Sequence, residues 1–466
     1  MVNLNVVVLC TDSLRADHLG CYGNPWIRTP NFDRLAAEGS VFLHNYSENL
    51  PTLPTRTAWW TGRYQFPWRG WQPFETSDYL LAEVLWDRGY SSALVTDTYH
   101  MHKPAYNCGR GFDTVHWIRG QEYDPWIVDR DVKVEYGPLH RLRGDGSDRQ
   151  WQARFEQYLR NRTTWERDEE RTPTAQVAKA AVGWLEHQVR ARGQKERLFL
   201  WVDFFDPHEP WDPPEPYRSM YDAAYRGQVL IDPVPGLVDG YMTPAEVAHT
   251  MALYAGEVTM VDRWAGVVLD AVRSLGLWDD TLVMHVSDHG EPFGEHGIIR
   301  KARPWNYEEL VHVPWILRLP GGVGAGRRIP ALVQTVDLMP TVLDALGIEG
   351  PLTLPYQAPA RTMFPQDAVV ARREALLTGR SLMPLLRGDA EAVRSGAITA
   401  HHGRQWSLRT QTHSLLLPID GGGGPELYDR RTDPGERVNL ADAEPDRARE
   451  MELELRRFVD DLERRR

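Results

Sequence analysis

The sequence predicts an α/β fold: a large β-sheet covered by helices on both faces, followed by a small C-terminal subdomain of antiparallel strands plus a helix. Three observations carry this. Residues 5 to 11, NVVVLCT, form an almost continuous valine-rich apolar run, the pattern of a strand buried on both faces. Similar runs alternate with amphipathic helical stretches along most of the chain, which places helices over both faces of one sheet. Near residue 390 the alternation gives way to short strands. At 466 residues the chain is too long for one small core, so a large domain over 1–388 and a smaller one over 389–466 are expected.

The elements follow in order. After the first strand, TPNFDRLAAEG gives a helix with Thr29 as cap, Pro30 in the first turn and Gly39 as stop. LLAEVLWDRGY is a second helix ended by glycine, and SSALVTD a strand. Residues 109 to 172 are charged, tryptophan-rich and weakly periodic, and read as an insertion or cap rather than core. TPTAQVAKAAVGWLEHQVRA is an amphipathic helix and RLFLWVDFF a buried strand. A long helix starts at the Thr-Pro signal of TPAEVAHTM, and TLVMHVSDHG is a strand ending in polar residues. GAITAHHGRQWSLRTQTHSLLLPID reads as antiparallel strands, GGGGPELYD as a turn, and residues 441 to 466 as a charged terminal helix.

Hydrophobic content of 42% and charged content of 25% place the chain among ordinary globular proteins rather than disordered ones. The net charge of −12 argues against a nucleic-acid partner and requires any anion site to be locally positive. Cys10, Cys21 and Cys108 form no disulfide framework and fit a reduced compartment. The apolar run begins almost at Met1 without a basic leader, and no apolar stretch reaches the roughly 18 residues that span a membrane. The expectation is a cytoplasmic protein with no membrane partner.

Asp12 follows the first strand, and Asp288 and His289 follow a later one. Ligands of open α/β sheets bind outside the carboxyl ends of the strands. Two carboxylates and an imidazole converging there suit a divalent metal, Mn²⁺ or Zn²⁺ first and Ca²⁺ or Mg²⁺ as alternatives. Each residue also fits a helix cap or turn. FFDPHEPWDPP holds His208 between prolines, where an imidazole can serve as general acid or simply sit in a surface turn. Lys301 fits an anion contact or a solvated charge. In NLPTLPTRTAWWTGR, Thr52 and Arg56 are four residues apart and share one side of a first helical turn. With Thr52 as N-cap, its hydroxyl, the free amides and Arg56 would gather a tetrahedral anion. Thr52 as a mere cap fits equally well.

These segments together resemble the sulfatase family of the alkaline phosphatase superfamily. The resemblance runs from TDSLRADHLGCYGN and TPNFDRLAAEGSVFLHNYS through TLPTRTAWWTGR, DPHEPW, YAGEVTMVDRWAG and SDHGEPFGEHG. It continues in YEELVHVPWILRLPGG, VQTVDLMPTVLDALGI and PELYDRRTDPGERVNL. It implies an alkaline phosphatase-like mixed sheet, and one divalent metal held by Asp12, Asp288, His289 and the nucleophile. It puts His208 and Lys301 at the ester oxygens and Arg56 behind the nucleophile.

Three departures sharpen this expectation. The family signature begins with Cys or Ser, oxidised to formylglycine, where this chain has Thr52-Leu53-Pro54-Thr55-Arg56. Formylglycine hydrate expels sulfate with its second hydroxyl. Threonine has none, so water must attack phosphorus or sulfur to release the adduct. Relatives with a threonine nucleophile, such as nucleotide pyrophosphatases, phosphonoacetate hydrolases and phosphoethanolamine transferases, act on phosphorus. A Gly-Lys-Trp-His segment that contacts sulfate is replaced by Thr96-Asp97-Thr98-Tyr99, as in the phosphonate monoester hydrolase and phosphodiesterase branch, which makes Thr98 and Tyr99 expected substrate contacts. Ser13 replaces an aspartate commonly bound to the metal. The expected function is hydrolysis of phosphodiesters or phosphonate monoesters, that is, of a small anionic ester. Sulfuric ester hydrolysis and a catalytically silent anion-binding relative are the alternatives. Homo-oligomers are common among relatives of this size and remain an open expectation.

Overall fold

A computed structural model describes residues 3–465 apart from 104, 129–136, 138, 166–167, 302–304, 350–351, 354–373 and 376. Its strands begin with β1 (Asn5–Thr11), β2 (Ser40–Tyr46), β3 (Asn49–Leu50), β4 (Ser91–Thr96), β5 (Thr114–Trp117) and β6 (Leu198–Phe204). Then come β7 (Gly236–Leu237), β8 (Thr281–Ser287), β9 (Ile298–Ile299), β10 (Trp315–Arg318) and β11 (Arg327–Gln334). Eight of these form one sheet in the order β11-β2-β10-β8-β1-β6-β4-β5. Only β10 runs antiparallel to its neighbours, so the sheet is mixed.

Strand β1 shows why the valine-rich run is central. Val7 and Leu9 pack into one core, and Val6, Val8 and Cys10 into the other. Each buried valine stabilises the fold by about 1.5–3 kcal/mol relative to exposure. The first core receives helices Pro30–Glu38, Pro173–Glu186 and Pro244–Ser274. The second receives Thr52–Thr61, Leu81–Asp87, Leu338–Ala345 and Met383–Arg387. The 31-residue helix Pro244–Ser274 starts at a capping box, with Thr243 and Glu246 satisfying each other's backbone N–H groups.

Two short pairs are antiparallel: β7 with β9, and β12 (Leu352–Thr353) with β13 (Glu374–Ala375). The C-terminal sheet contains β14 (Ala397–His401), β15 (Gln405–Arg409), β16 (His413–Pro418) and β17 (Glu426–Asp429). Helix Pro445–Arg464 buries Met451, Leu455, Val459 and Leu462 in the core that this sheet shares.

Four local readings change. β17 occupies the second half of GGGGPELYD, where a turn was expected, because Leu427 alternates into the core and pairs with Leu415. Residues 114–117, within the stretch read as an insertion, form the edge strand β5 against β4. In the same stretch the helix Asp148–Arg162 buries Phe155, Tyr158 and Leu159. Thr29 precedes its helix as expected, but its hydroxyl meets Asp33 Oδ1 at 3.3 Å instead of capping the backbone. Among the described residues no helix is long and apolar enough to cross a membrane.

Candidate active site

Because β1, β6, β8 and β4 are parallel neighbours, the residues after them gather at one edge of the sheet. Thr11 pairs with Ser287 on one side and Phe204 on the other, so Asp12 is placed beside Asp288. Asp12, Asp288 and His289 are fully buried, and one ligand atom from each lies within 4.8 Å of the others. His289 Nε2 is 3.6 Å from Asp12 Oδ1, 4.0 Å from Asp288 Oδ1 and 3.3 Å from Thr52 Oγ1. Its Nδ1 is 2.9 Å from the Gly290 carbonyl oxygen, which places the proton on Nδ1 and a lone pair on Nε2. Burial lowers the His289 pKa and keeps the imidazole neutral, the form that ligates metals.

Backbone details set this corner. Ser13 adopts φ 64°, a left-handed conformation uncommon outside glycine. From there its N–H donates to Asp288 Oδ1 at 3.1 Å and its hydroxyl to Asp12 Oδ1 at 3.0 Å. Gly290 is required because a Cβ there would lie 2.1 Å from the Glu309 carbonyl oxygen. Burial, then the neighbouring charge of Asp288, pushes the Asp12 carboxyl well above the usual range. Asp12, Asp288 and Asp203 share one guanidinium, that of Arg56. That excess of buried negative charge, with a neutral imidazole and a hydroxyl facing it, fits a divalent cation.

Arg56 lies one turn beyond Thr52, and it holds carboxylates rather than the Thr52 hydroxyl. Its guanidinium donates to Asp203 Oδ2 at 2.6 Å, Asp12 Oδ2 at 3.0 Å and Asp288 Oδ2 at 3.3 Å. Thr52 is likewise not the N-cap. It is the first residue of helix Thr52–Thr61, after Pro51. Pro54 has no N–H, and the Thr55 N–H donates to Pro51 O at 3.2 Å, so the first turn offers an anion only the amides of Thr52 and Leu53.

Thr52, His208 and Lys301 line one cavity of about 370 Å³. His208 Nδ1 lies 2.7 Å from the Glu209 carbonyl oxygen, so Nδ1 donates and Nε2 is the acceptor of the neutral ring. Burial lowers the His208 pKa well below the usual value, partly offset by Glu209. Lys301 Nζ donates to Glu209 Oε2 at 2.7 Å and Glu291 Oε2 at 3.1 Å. Burial works against its charge, and these two carboxylates more than offset it. Thr98 and Tyr99 are not among the cavity's lining residues. Thr98 is buried 3.4 Å from Arg56 Nη1, and Tyr99 packs on Tyr123 and His100. The next residues, His100 and Lys103, line the wall in their place.

Sequence reasoning missed Asp203, Glu209, Glu291 and Arg300. Asp203 had a signal: it is the only charge inside the apolar run LFLWVDFF, where an unpaired acid would not be tolerated. It also accepts the Thr96 hydroxyl at 2.6 Å. Arg300 donates to Glu209 and, at 2.5 Å, to Asp232 Oδ1, a pairing that no local pattern announces.

The Sulfatase family model matches residues 4–348. An arylsulfatase of Clostridium perfringens is 26% identical over 389 residues, covering 74% of this chain and 76% of its own length. The multifunctional alkaline phosphatase superfamily protein PehA of Trinickia caryophylli is 25% identical over 402 residues, covering 75% of each chain. The crystal structure of the phosphonate monoester hydrolase of Agrobacterium radiobacter superposes with a TM-score of 0.72 at 22% identity, over 99% of this chain and 96% of that one. Since the match takes in most of its length, including every residue of the buried carboxylate corner, the chain belongs to the sulfatase family of the alkaline phosphatase superfamily and is an ester-bond hydrolase.

Proposed function

We propose that this sulfatase-family hydrolase cleaves phosphodiesters or phosphonate monoesters with Thr52 as its nucleophile. One observation carries the reading: the side chain facing Asp12, Asp288 and His289 has a single hydroxyl, 3.3 Å from His289 Nε2. An adduct on it can be released only by water attacking the transferred atom, a route familiar for phosphoryl groups. Sulfatase-family enzymes use a divalent metal. Here Asp12, Asp288, His289 and Thr52 would hold it, with Mn²⁺ or Zn²⁺ favoured by the donor set. Such an ion lowers the pKa of a hydroxyl it binds and offsets the buried carboxylates.

The chain's own groups then divide the work. Thr52 Oγ1 loses its proton to solvent and attacks phosphorus. The P–O bond to the departing alcohol breaks, and His208 protonates that oxygen. An anionic ester beside His208 raises the proton affinity of the imidazole, which is neutral in the free site. Lys301 and the Thr52 and Leu53 amides face the oxygens that gain charge. Arg56 is a positioning residue that holds the carboxylates. Water finally cleaves the Thr52–phosphorus ester and restores the hydroxyl.

A second reading, sulfate ester hydrolysis without formylglycine, is supported by the arylsulfatase likeness. Aryl phosphodiester, phosphonate, phosphate monoester and sulfate substrates, assayed with wild type and Thr52→Ala in Mn²⁺ or Zn²⁺, decide between them. We expect the first two to dominate and Thr52→Ala to lose at least ~10³-fold in kcat. Dominant sulfate turnover overturns the phosphorus preference, and full activity of Thr52→Ala overturns the nucleophile.

A further inference from the structure

Among the described residues four cations line the cavity, and they are not equivalent. Arg300 and Lys301 are neutralised by Glu209, Asp232 and Glu291. Lys103 and Arg154 have no ion pair and no hydrogen bond among the described residues. Both are half-buried, and both lie against aromatic faces. Lys103 Nζ is 5.0 Å from the Tyr99 ring centroid. The Arg154 guanidinium is 4.6 Å from Tyr123 and 4.9 Å from Trp151.

Aromatic faces hold a cation in place without neutralising it. The carboxylate on the same wall, Glu122, lies 2.9 Å from His100 Nε2 and makes no ion pair with Lys103 or Arg154 among the described residues. Burial, opposed by Glu122 and reinforced by the like charge of Arg154, depresses the Lys103 pKa. Two like charges held close in a partly desolvated wall repel, and an anion between them relieves the repulsion. With a net charge of −12 on the chain, two cations sharing a wall with one carboxylate, Glu122, leave this place locally positive.

We propose that Lys103 and Arg154 form a second oxyanion subsite, so that the preferred substrate is an ester whose leaving group bears its own carboxylate, sulfate or phosphate. The proposal rests on the Thr52 reading for which part of the cavity holds the scissile ester. A volume of about 370 Å³ is that of a small-ligand site, so one molecule can occupy both parts. Trp71, Tyr123 and Trp151 on the walls suit a ring-bearing body between the two anions.

The test compares 4-nitrophenyl phenylphosphonate with its 3-carboxy-4-nitrophenyl counterpart, in Mn²⁺, for wild type, Lys103→Met/Arg154→Met and Arg154→Lys. The readout is the ratio of kcat/KM values, charged over uncharged. We expect a wild-type ratio about tenfold above that of the double variant, falling with added salt, with Arg154→Lys retaining part of it. Equal ratios in wild type and double variant overturn the subsite. A second arm titrates 3-hydroxybenzoate and phenol into the same proteins by calorimetry. We expect 3-hydroxybenzoate to bind wild type about tenfold more tightly than phenol, and the double variant to lose that preference. If neither ester is turned over, the Thr52 reading fails while calorimetry still decides the subsite: a retained, variant-sensitive preference supports it, and no preference overturns it.

Discussion

Replacing Arg56 by methionine tests the electrostatic account of the buried corner most directly. The guanidinium is 1% exposed and lies within 3.3 Å of three carboxylates. Removing one partner of a buried ion pair costs about 3–5 kcal/mol, because the other charge stays buried and uncompensated. In metal-free protein, Arg56→Met should lose at least that much at neutral pH, roughly a 5 °C fall in the unfolding midpoint for a chain of this size. The sign with pH follows from Asp12, which burial and Asp288 already raise and which rises further without Arg56. A folded-state pKa above the unfolded value gives stability that is present at low pH and lost as pH climbs through it. The deficit should therefore widen as pH rises above the ordinary carboxylate range. Saturating Mn²⁺ should stabilise the variant more than the wild type and close at least half the gap, since the ion meets one more uncompensated charge. The 18 tryptophans allow unfolding to be followed by fluorescence, with chelator or Mn²⁺ present. A deficit below about 1 kcal/mol, or one indifferent to both pH and metal, would refute the reasoning.

Three other outcomes are expected. Asp203→Asn keeps the shape but weakens the hold on Arg56 and Thr96, so denaturant titration should show a loss of about 1–3 kcal/mol with the fold intact by circular dichroism. Lys301→Met leaves Glu209 and Glu291 without their shared cation and should lower kcat/KM by about 10²–10³-fold; a change below threefold removes Lys301 from the oxygen contacts. Glu48 is pushed up to about 8 by burial, against the N–H groups of Gln65 and Phe66. Its protonated form fits the fold, so its contribution is full near pH 4.5 and is lost as pH rises through 8. Each unit is worth ~1.4 kcal/mol, so Glu48→Gln should flatten the stability profile over that window and be the more stable protein by a few kcal/mol at pH 9; a variant that tracks wild type at every pH refutes this.

Much of the layout was legible because it is written locally. Val6 to Cys10 alternate between two cores, and such a strand can only be central. Asp12 and Asp288 were legible because a polar residue closing a buried strand must emerge at the sheet edge. Partnerships were not. Arg56 was placed behind Thr52 by spacing, yet its three partners come from β1, β6 and β8, which are distant in sequence. The cap expected at Thr52 failed because Pro51 takes the flanking position and Pro54 removes an amide. Thr98 and Tyr99 were inherited from a relative's pattern. A one-turn 3₁₀ segment at Tyr99–His102 instead presents His100 and Lys103 to the cavity.

The two residues before Pro51 have a double allegiance. Asn49 and Leu50 form β3, which pairs in parallel with β14, through Ala400 and His401, and so joins the C-terminal sheet. Ala400 N also donates to Glu48 O at 2.9 Å. The segment that delivers Thr52 is thus clamped from downstream by residues more than 300 positions away in the sequence. A form truncated before β14 would hold every residue of the carboxylate corner and yet carry Thr52 on a segment without that partner strand. The C-terminal sheet therefore takes part in placing the Thr52 hydroxyl, although its strands lie far along the sequence from the corner that the hydroxyl faces.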